Sequence, residues 1–392
     1  MRWQHSLITA LLVGNFAMAQ IITNPVTYKR YVSILQFSPA GSSSIGLIPS
    51  QAGLSNPSIG ATLPFQRWAG ADLKVQLSRY AVQGQEAGNV IVDASPTELN
   101  LFLPVHKKIT IGTGINPYFN NEGKYVSSGN DRLWSLSSFG GLLQARLFAG
   151  LNLWDKKGWK VGFGTGAFFL TGTMVDTFRR KATYSQTLMR LIVTRQTVRD
   201  LGWHTSLLIS KQLPKFSLSL TTGVNYNPII KATVEETQWL AVKWKPTSIT
   251  DTVLNANFTA DTVLSGISEF FIGLGFATNQ FQTEVLIASM FPQPFFGSKV
   301  SLTWFPEPEK DLPIKQALSV AGTYQRGTIV SGDFQDIGIE LAYSIPGVGA
   351  AGSLTVKVGI NRWRTTQINA TYWHVAATMA LRERWFVRRK FE

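Results

Sequence analysis

The 392-residue sequence contains no cysteine and only four histidines. The first absence excludes disulfide frameworks, thiolate metal sites and cysteine nucleophiles. The second, with no His-x-x-x-His pair, leaves little from which to build a zinc site. No metal or other cofactor is expected, and no catalytic residue. Charge is also sparse, with Asp, Glu, Lys and Arg making up 15% of the chain against about 25% in ordinary soluble domains. Beyond the N-terminal region no apolar run approaches the ~18 residues of a membrane helix, so a helical membrane protein is excluded. Yet 44% of residues are hydrophobic and the mean hydropathy is +0.05, too apolar for a disordered chain. Length alone admits one large domain or two to three small ones.

What is abundant is glycine, with 34 residues, and aromatics, with 12 Trp, 10 Tyr and 24 Phe. Low charge with many aromatics suits a surface that meets lipid. The first nineteen residues read as an export signal: basic Arg2, an apolar run from Ser6 to Phe16, and the small-x-small triplet Ala17-Met18-Ala19. About ten apolar residues are too few to cross a bilayer, so cleavage after Ala19 is expected rather than anchoring. Removing Arg2 with the signal leaves 36 basic and 23 acidic residues, a net charge of +13. An exported chain does not meet a chromosome, so this charge is assigned to anionic lipid headgroups and not to nucleic acid.

Residues 20–66 are rich in Ser, Gly, Pro and Asn, as in Ser38-Pro39-Ala40-Gly41 and Asn56-Pro57-Ser58, and show no strong period. From Trp68 onward a two-residue alternation takes over. Leu73, Val75 and Leu77 interleave with Lys74, Gln76 and Ser78; Ile337, Ile339, Leu341 and Tyr343 with Gly338, Glu340, Ala342 and Ser344; Leu354, Val356 and Val358 with Thr355, Lys357 and Gly359. Trp373, Val375, Ala377 and Met379 close the series. Such a period gives each strand one apolar face and one polar or small face. Polar turns such as Asp155-Lys156-Lys157-Gly158 separate the runs, which predicts about thirteen to fifteen antiparallel strands.

A soluble β-protein turns its apolar rows inward and covers its outside with charge. Here the opposite face carries Gly, Ser, Thr, Asn and Gln, which suits a crowded polar lumen. Trp68, Trp134, Trp154, Trp159, Trp239, Trp244, Trp304, Trp363, Trp373 and Trp385 fall toward strand ends, where the two interfacial girdles of a membrane barrel would lie. In lipid the sheet must close, because an open edge leaves backbone groups unsatisfied. The reading is therefore an all-β, antiparallel transmembrane β-barrel of about 14 strands, with residues 67–392 as the barrel and 20–66 before it.

Three stretches carry a family resemblance: Gly114-Ile115-Asn116-Pro117-Tyr118 with Ser138-Phe139-Gly140-Gly141-Leu142 and Gly162-Phe163-Gly164 through Thr171-Gly172-Thr173; Arg179-Arg180 through Leu201-Gly202-Trp203 to Leu220 through Pro228; and the ending Leu381 through Phe391, with Trp385-Phe386 before a basic tail. Together they resemble a divergent branch of the FadL-like outer-membrane barrels, which carry long-chain fatty acids and other hydrophobic compounds. The resemblance implies a cell outer membrane location in a Gram-negative envelope, residues 20–66 as an inward-folded hatch, and passive uptake of a hydrophobic, fatty-acid-like small molecule, without enzymatic activity. The chain departs from the family where the plug's Asn-Pro-Ala signature is expected, offering Asn24-Pro25-Val26 and Asn56-Pro57-Ser58. That departure keeps open a second reading, a non-transporting scaffold for an envelope protein partner in secretion or surface assembly.

Candidate residues follow from these readings. Phe37, Phe65 and Trp68 are expected to line a ligand pocket from the hatch side. Alternation puts Lys74, Glu340 and Lys357 on the lumen face, together with His374. His374 is read as a lumenal hydrogen-bonding group or, less favoured, as the base of a barrel lipase, which would need a serine and an orienting partner in reach. Arg179, Arg180, Lys181, Arg190, Arg195 and Arg199 bracket a hairpin loop; bidentate contacts to carboxylates or lipid phosphates are within their chemistry, but a solvated loop is the favoured account. Gly162-Phe163-Gly164-Thr165-Gly166-Ala167 formally matches a dinucleotide-binding fingerprint, yet Phe168-Phe169-Leu170 follows where a helix N-terminus is required. Glycines packed in a barrel wall are the preferred explanation.

Overall fold

A computed structural model of the chain describes residues 59–65 and, from 68 to 384, all but the connections 84–88, 121–122, 130–131, 183–186, 228, 244–251, 266–267, 292–294, 307–315, 330–331, 347–351 and 366–368. The expected signal segment, Phe37 and most of the expected hatch lie outside the described residues. A helical turn α1 (Ile59–Thr62) continues into a 3-10 turn (Leu63–Phe65), and everything after it is strand and turn. The strands are β1 (Trp68–Gln83), β2 (Asn89–His106), β3 (Ile109–Asn120), β4 (Gly123–Gly129), β5 (Arg132–Lys156), β6 (Trp159–Ala182), β7 (Thr187–Gln212), β8 (Ser217–Tyr226) and β9 (Ile229–Lys243). The series continues with β10 (Thr252–Ser265), β11 (Ser268–Ala277), β12 (Phe281–Phe291), β13 (Phe295–Trp304), β14 (Ala317–Ile329), β15 (Gly332–Pro346), β16 (Gly352–Thr365) and β17 (Asn369–Arg384).

These seventeen segments make fourteen wall strands, because three pairs run end to end. Segments β3 and β4 both pair with β5, β8 and β9 both pair with β7, and β10 and β11 continue one another against β9 and β8. All pairings are antiparallel, and β1 pairs with β17 from Trp68↔Arg384 to Gln83↔Asn369, which closes the barrel. Closure removes the free edges that hydrocarbon would not tolerate.

The alternation read from the sequence is the alternation of the wall. On β15, Leu341 is 56% exposed on the outer face while Glu340 beside it is 5% exposed within. Trp154, Trp159, Phe281, Trp304 and Tyr343 ring the short-turn end, and Trp203, Tyr226, Phe270, Phe296 and Trp373 form a second ring. The eight steps from Phe296 to Trp304, at ~3.3 Å each and a tilt of ~40°, cover about 20 Å, close to the ~25 Å band of a membrane barrel. Lysines stand over the lower ring, with Lys211 Nζ 4.7 Å from the Trp159 ring centre and Lys156 Nζ 5.9 Å from that of Trp154, as expected where a cationic surface meets headgroups.

The aromatic expectation needs one correction. Trp134 and Trp239 do not belong to either ring, since they pair with Arg180 and Leu191, about twelve residues beyond Trp203 along β7. Strands β5, β6 and β7 run for 25, 24 and 26 residues, whereas β12 and β13, with 11 and 10, only span the ~9–11 residues that a bilayer needs. Alternation continues unchanged where a strand leaves lipid, so it cannot mark the interface. Trp154, Trp159, Trp304 and Trp373 do fall in the rings; Trp203, which sequence reading passed over as a girdle residue, does too.

One stretch of wall is split. The β2–β3 ladder runs from His106↔Ile109 to Leu99↔Ile115 and, among the described residues, goes no further. Beyond it, Asn89–Glu98 pairs only with β1, and Asn116–Asn120 and β4 pair only with β5. Both edges carry a proline, Pro96 on β2 and Pro117 on β3, neither able to donate to a ladder. Register shifts accompany both: β1 shifts between Lys74 and Val75 opposite Pro96, and β3 between Pro117 and Phe119. The six steps from Ile109 to Ile115 rise about 15 Å from the short turn, less than the ~25 Å band of a membrane barrel.

Candidate functional site

The lumen is lined by the inner faces of these strands and holds four groupings. At the base, α1 lies against β5, β6 and β7 on a seat of glycines. The α1 backbone touches the wall at Gly164, where a Cβ would stand 2.6 Å from Ala61 N and from the Gly60 carbonyl carbon. Side chains at Gly150 or Gly162 would collide with the carbonyl oxygens of Gly60 and Ala61. The glycine run that formally matched a nucleotide fingerprint therefore serves close backbone approach in a barrel wall. Ala61, Leu208 and Phe65 pack together here, with Lys160 Nζ 6.0 Å from the Phe65 ring centre. Phe65 thus stands in the lumen. Trp68 opens β1 at the short-turn end, opposite Arg384.

On the short-strand side, Glu340 collects three cationic or ionisable partners. Lys357 Nζ lies 2.6 Å and His374 Nε2 3.4 Å from its Oε1, and Lys299 Nζ lies 3.2 Å from its Oε2. All four side chains are nearly inaccessible, and they tie β13, β15, β16 and β17 together. Glu340 pairs across the ladder with Gly359, and a Cβ at Gly359 would crowd the His374 ring; the missing side chain is what lets the imidazole reach the carboxylate. Of the expected lumen residues, Glu340, Lys357 and His374 meet here. Lys74 takes its place on β1 opposite Thr378. Lys299 was missed, although Val300, Leu302 and Trp304 alternating with Ser301 and Thr303 carried the same signal. The geometry is a brace across the wall, with His374 Nε2 facing a carboxylate.

On the tall side, an apolar grouping of Leu142, Phe168, Leu170, Val198 and Ala232, with Met174 against it, covers the inner wall of β5, β6, β7 and β9. Leu142 pairs with Phe119 on the split strand, so this apolar surface adjoins the split. Immediately below it runs a polar row. His204 Nδ1 lies 2.6 Å from Asn225 Oδ1, and Asn225 Nδ2 donates to Glu269 Oε2 at 2.7 Å. Gln144 Oε1 on β5 accepts from Arg146 Nε at 2.8 Å.

Arg180 pairs with Arg190 across the β6–β7 hairpin above the membrane band, and Arg179 pairs with Leu191. Arg195 and Arg199 are exposed on β7, with Arg195 Nη1 3.8 Å from Glu235 Oε2 in a solvated pair. Arg195 and Arg199 are not brought into one site with the lumen groups.

No protein-family model matches the chain, and no curated protein matches its sequence. Solved structures do. The CymD monoaromatic hydrocarbon channel superposes with a TM-score of 0.52 at 9% identity, over 92% of this chain and 98% of that one. A Pseudomonas aeruginosa FadL homologue gives 0.55 at 8% identity, over 92% and 98%. At such identities the fold is what is shared: this chain is a transmembrane β-barrel with the architecture of FadL-type hydrophobic-compound channels, and the resemblance read from the sequence holds in three dimensions.

Proposed function

We propose that this chain is an outer-membrane channel for passive uptake of hydrophobic small molecules, which leave the lumen sideways into the bilayer. The observation that carries the reading is the split between β2 and β3, opening within the membrane band beside an apolar inner surface. Unpaired backbone in hydrocarbon costs several kcal/mol per group, so a wall that stops pairing inside the membrane is retained for a use. A lateral exit is such a use, since an apolar solute passes from Leu142 and Phe168 to lipid without crossing water. The named neighbours, a monoaromatic hydrocarbon channel and a FadL homologue, support the same class of cargo; fatty-acid-like compounds are its long-chain end. In this proposal residues 1–19 are the export signal, 20–66 the hatch, whose last turn is seated on the Gly150, Gly162 and Gly164 surface, and the protein is a channel rather than an enzyme.

The test is uptake of radiolabelled hydrophobic compounds, alkylbenzenes and long-chain fatty acids, by a deletion strain with and without the restored chain. Faster uptake of at least one class on restoration is expected. No change for any compound, with a stable envelope protein co-purifying instead, would replace the channel by the scaffold reading.

A further inference from the structure

The His204–Asn225–Glu269 row has an unfinished end. Glu269 is 2% exposed, on the inner face of β11, and its Oε2 is held by Asn225 while its Oε1 is buried without a hydrogen-bond partner among the described residues. A carboxylate oxygen so placed costs about 1–3 kcal/mol or more if nothing meets it. The direction of the row is fixed by its own donors. Asn225 gives an N–H to Glu269, so its amide oxygen faces His204 Nδ1 and accepts from it, and the row ends on an acceptor. Two rings flank it. The Phe168 ring lies over Gly202, the inward neighbour of His204 on one side, and the Phe271 ring lies over Gly223, the inward neighbour of Asn225 on the other. Apolar walls with a few convergent polar groups, here Glu269 Oε1 with the Arg146 charge acting on that carboxylate, are the make-up of a small-molecule site.

We propose that Glu269 Oε1 is the head-group acceptor for the transported compound, and that the cargo has an apolar body ending in one hydrogen-bond donor, a phenolic or alcoholic hydroxyl or an amine. A carboxylate head is disfavoured, since it repels Glu269 in a dry site while the Arg146 charge is already shared between Glu269 and Gln144 Oε1. The inference rests on the channel reading and narrows it. It also explains why a negative side chain is kept in an otherwise apolar stretch, Phe270-Phe271-Ile272 following it directly.

The test uses three small probes on the full chain in nanodiscs, followed by calorimetry: 4-ethylphenol, its isomer 4-methylanisole, which lacks the donor, and 4-ethylbenzoate. The phenol is expected to bind about tenfold or more tightly than the ether, because a site built to hydrogen-bond a hydroxyl rejects an analogue without one, and the benzoate to bind weakest. Glu269→Leu is expected to erase the preference for the phenol while leaving the ether bound. Should that variant fail to fold, the comparison of the three probes on the unaltered chain decides alone. Equal binding of phenol and ether overturns the Glu269 assignment and leaves the channel reading standing. Binding of none of the three, nor of ethylbenzene, overturns both.

Discussion

The two sides of the barrel are built on opposite principles. From β12 to β17 the strands are just long enough to cross the membrane or a little longer, every ladder is continuous, and Lys299, Lys357 and His374 are brought together around the buried Glu340. From β2 to β11 the strands overshoot the membrane, the ladder parts between β2 and β3, three wall strands are interrupted, and the buried carboxylate Glu269 keeps a bare oxygen. The first half answers the charge of Glu340 with Lys299, Lys357 and His374, although Gln282 Oε1 and Asn361 Oδ1 there lack a hydrogen-bond partner among the described residues. The second leaves one oxygen of a buried carboxylate, Glu269 Oε1, without a hydrogen bond among the described residues, which a protein tolerates where something else meets it. That contrast, more than any single motif, is why the proposed exit and head-group site are put on the tall side.

The contrast can be broken or sharpened by substitution. The largest effect is expected on the braced side. Glu340→Gln leaves Lys299 and Lys357 buried without their counter-charge, for a loss of about 3–5 kcal/mol, read as a lower denaturation midpoint in detergent by the shift of the folded band on unheated gels. Glu269→Gln is expected to leave that midpoint nearly unchanged, because one of its oxygens has no partner to lose. Equal destabilisation by the two would erase the distinction between the sides. Next comes the glycine seat. Gly164→Leu drives a side chain into the backbone of Gly60 and Ala61, with an overpacking penalty of about 1–3 kcal/mol and faster proteolysis near residue 60 as α1 is displaced. Gly322→Ala on β14 meets nothing within 4 Å and is expected to be neutral to within about 0.5 kcal/mol. Arg195→Ala, which removes an exposed pair with Glu235, is likewise expected to have a small effect, a cost of less than about 1 kcal/mol that shrinks with salt.

How far the sequence reached follows the range of the interactions. Period-two alternation is local, so the strands, their faces and the lumenal placement of Glu340, Lys357 and His374 were legible, and fourteen wall strands fall within the expected thirteen to fifteen. The dinucleotide match was discounted on local grounds too, since no helix could follow Ala167. What joins positions far apart was not legible. His204 could be placed in a strand, but its link to Asn225 and then to Glu269 spans 21 and 44 residues and depends on register. The split wall depends on which ladders stop, and Pro96 and Pro117 announce only a local irregularity. Strand lengths beyond the membrane misled the aromatic count at Trp134 and Trp239 for the same reason.

Lateral exit is the central claim, and the absence of cysteine gives it a clean test. With Ser95→Cys on β2 and Asn120→Cys on β3, the two edges of the split can be joined by a reducible bifunctional thiol reagent and uptake of a labelled alkylbenzene measured before joining, after joining and after reduction. Loss of most uptake on joining, restored by reduction, is the predicted result. Uptake unchanged by a verified cross-link would mean that the cargo does not leave between β2 and β3.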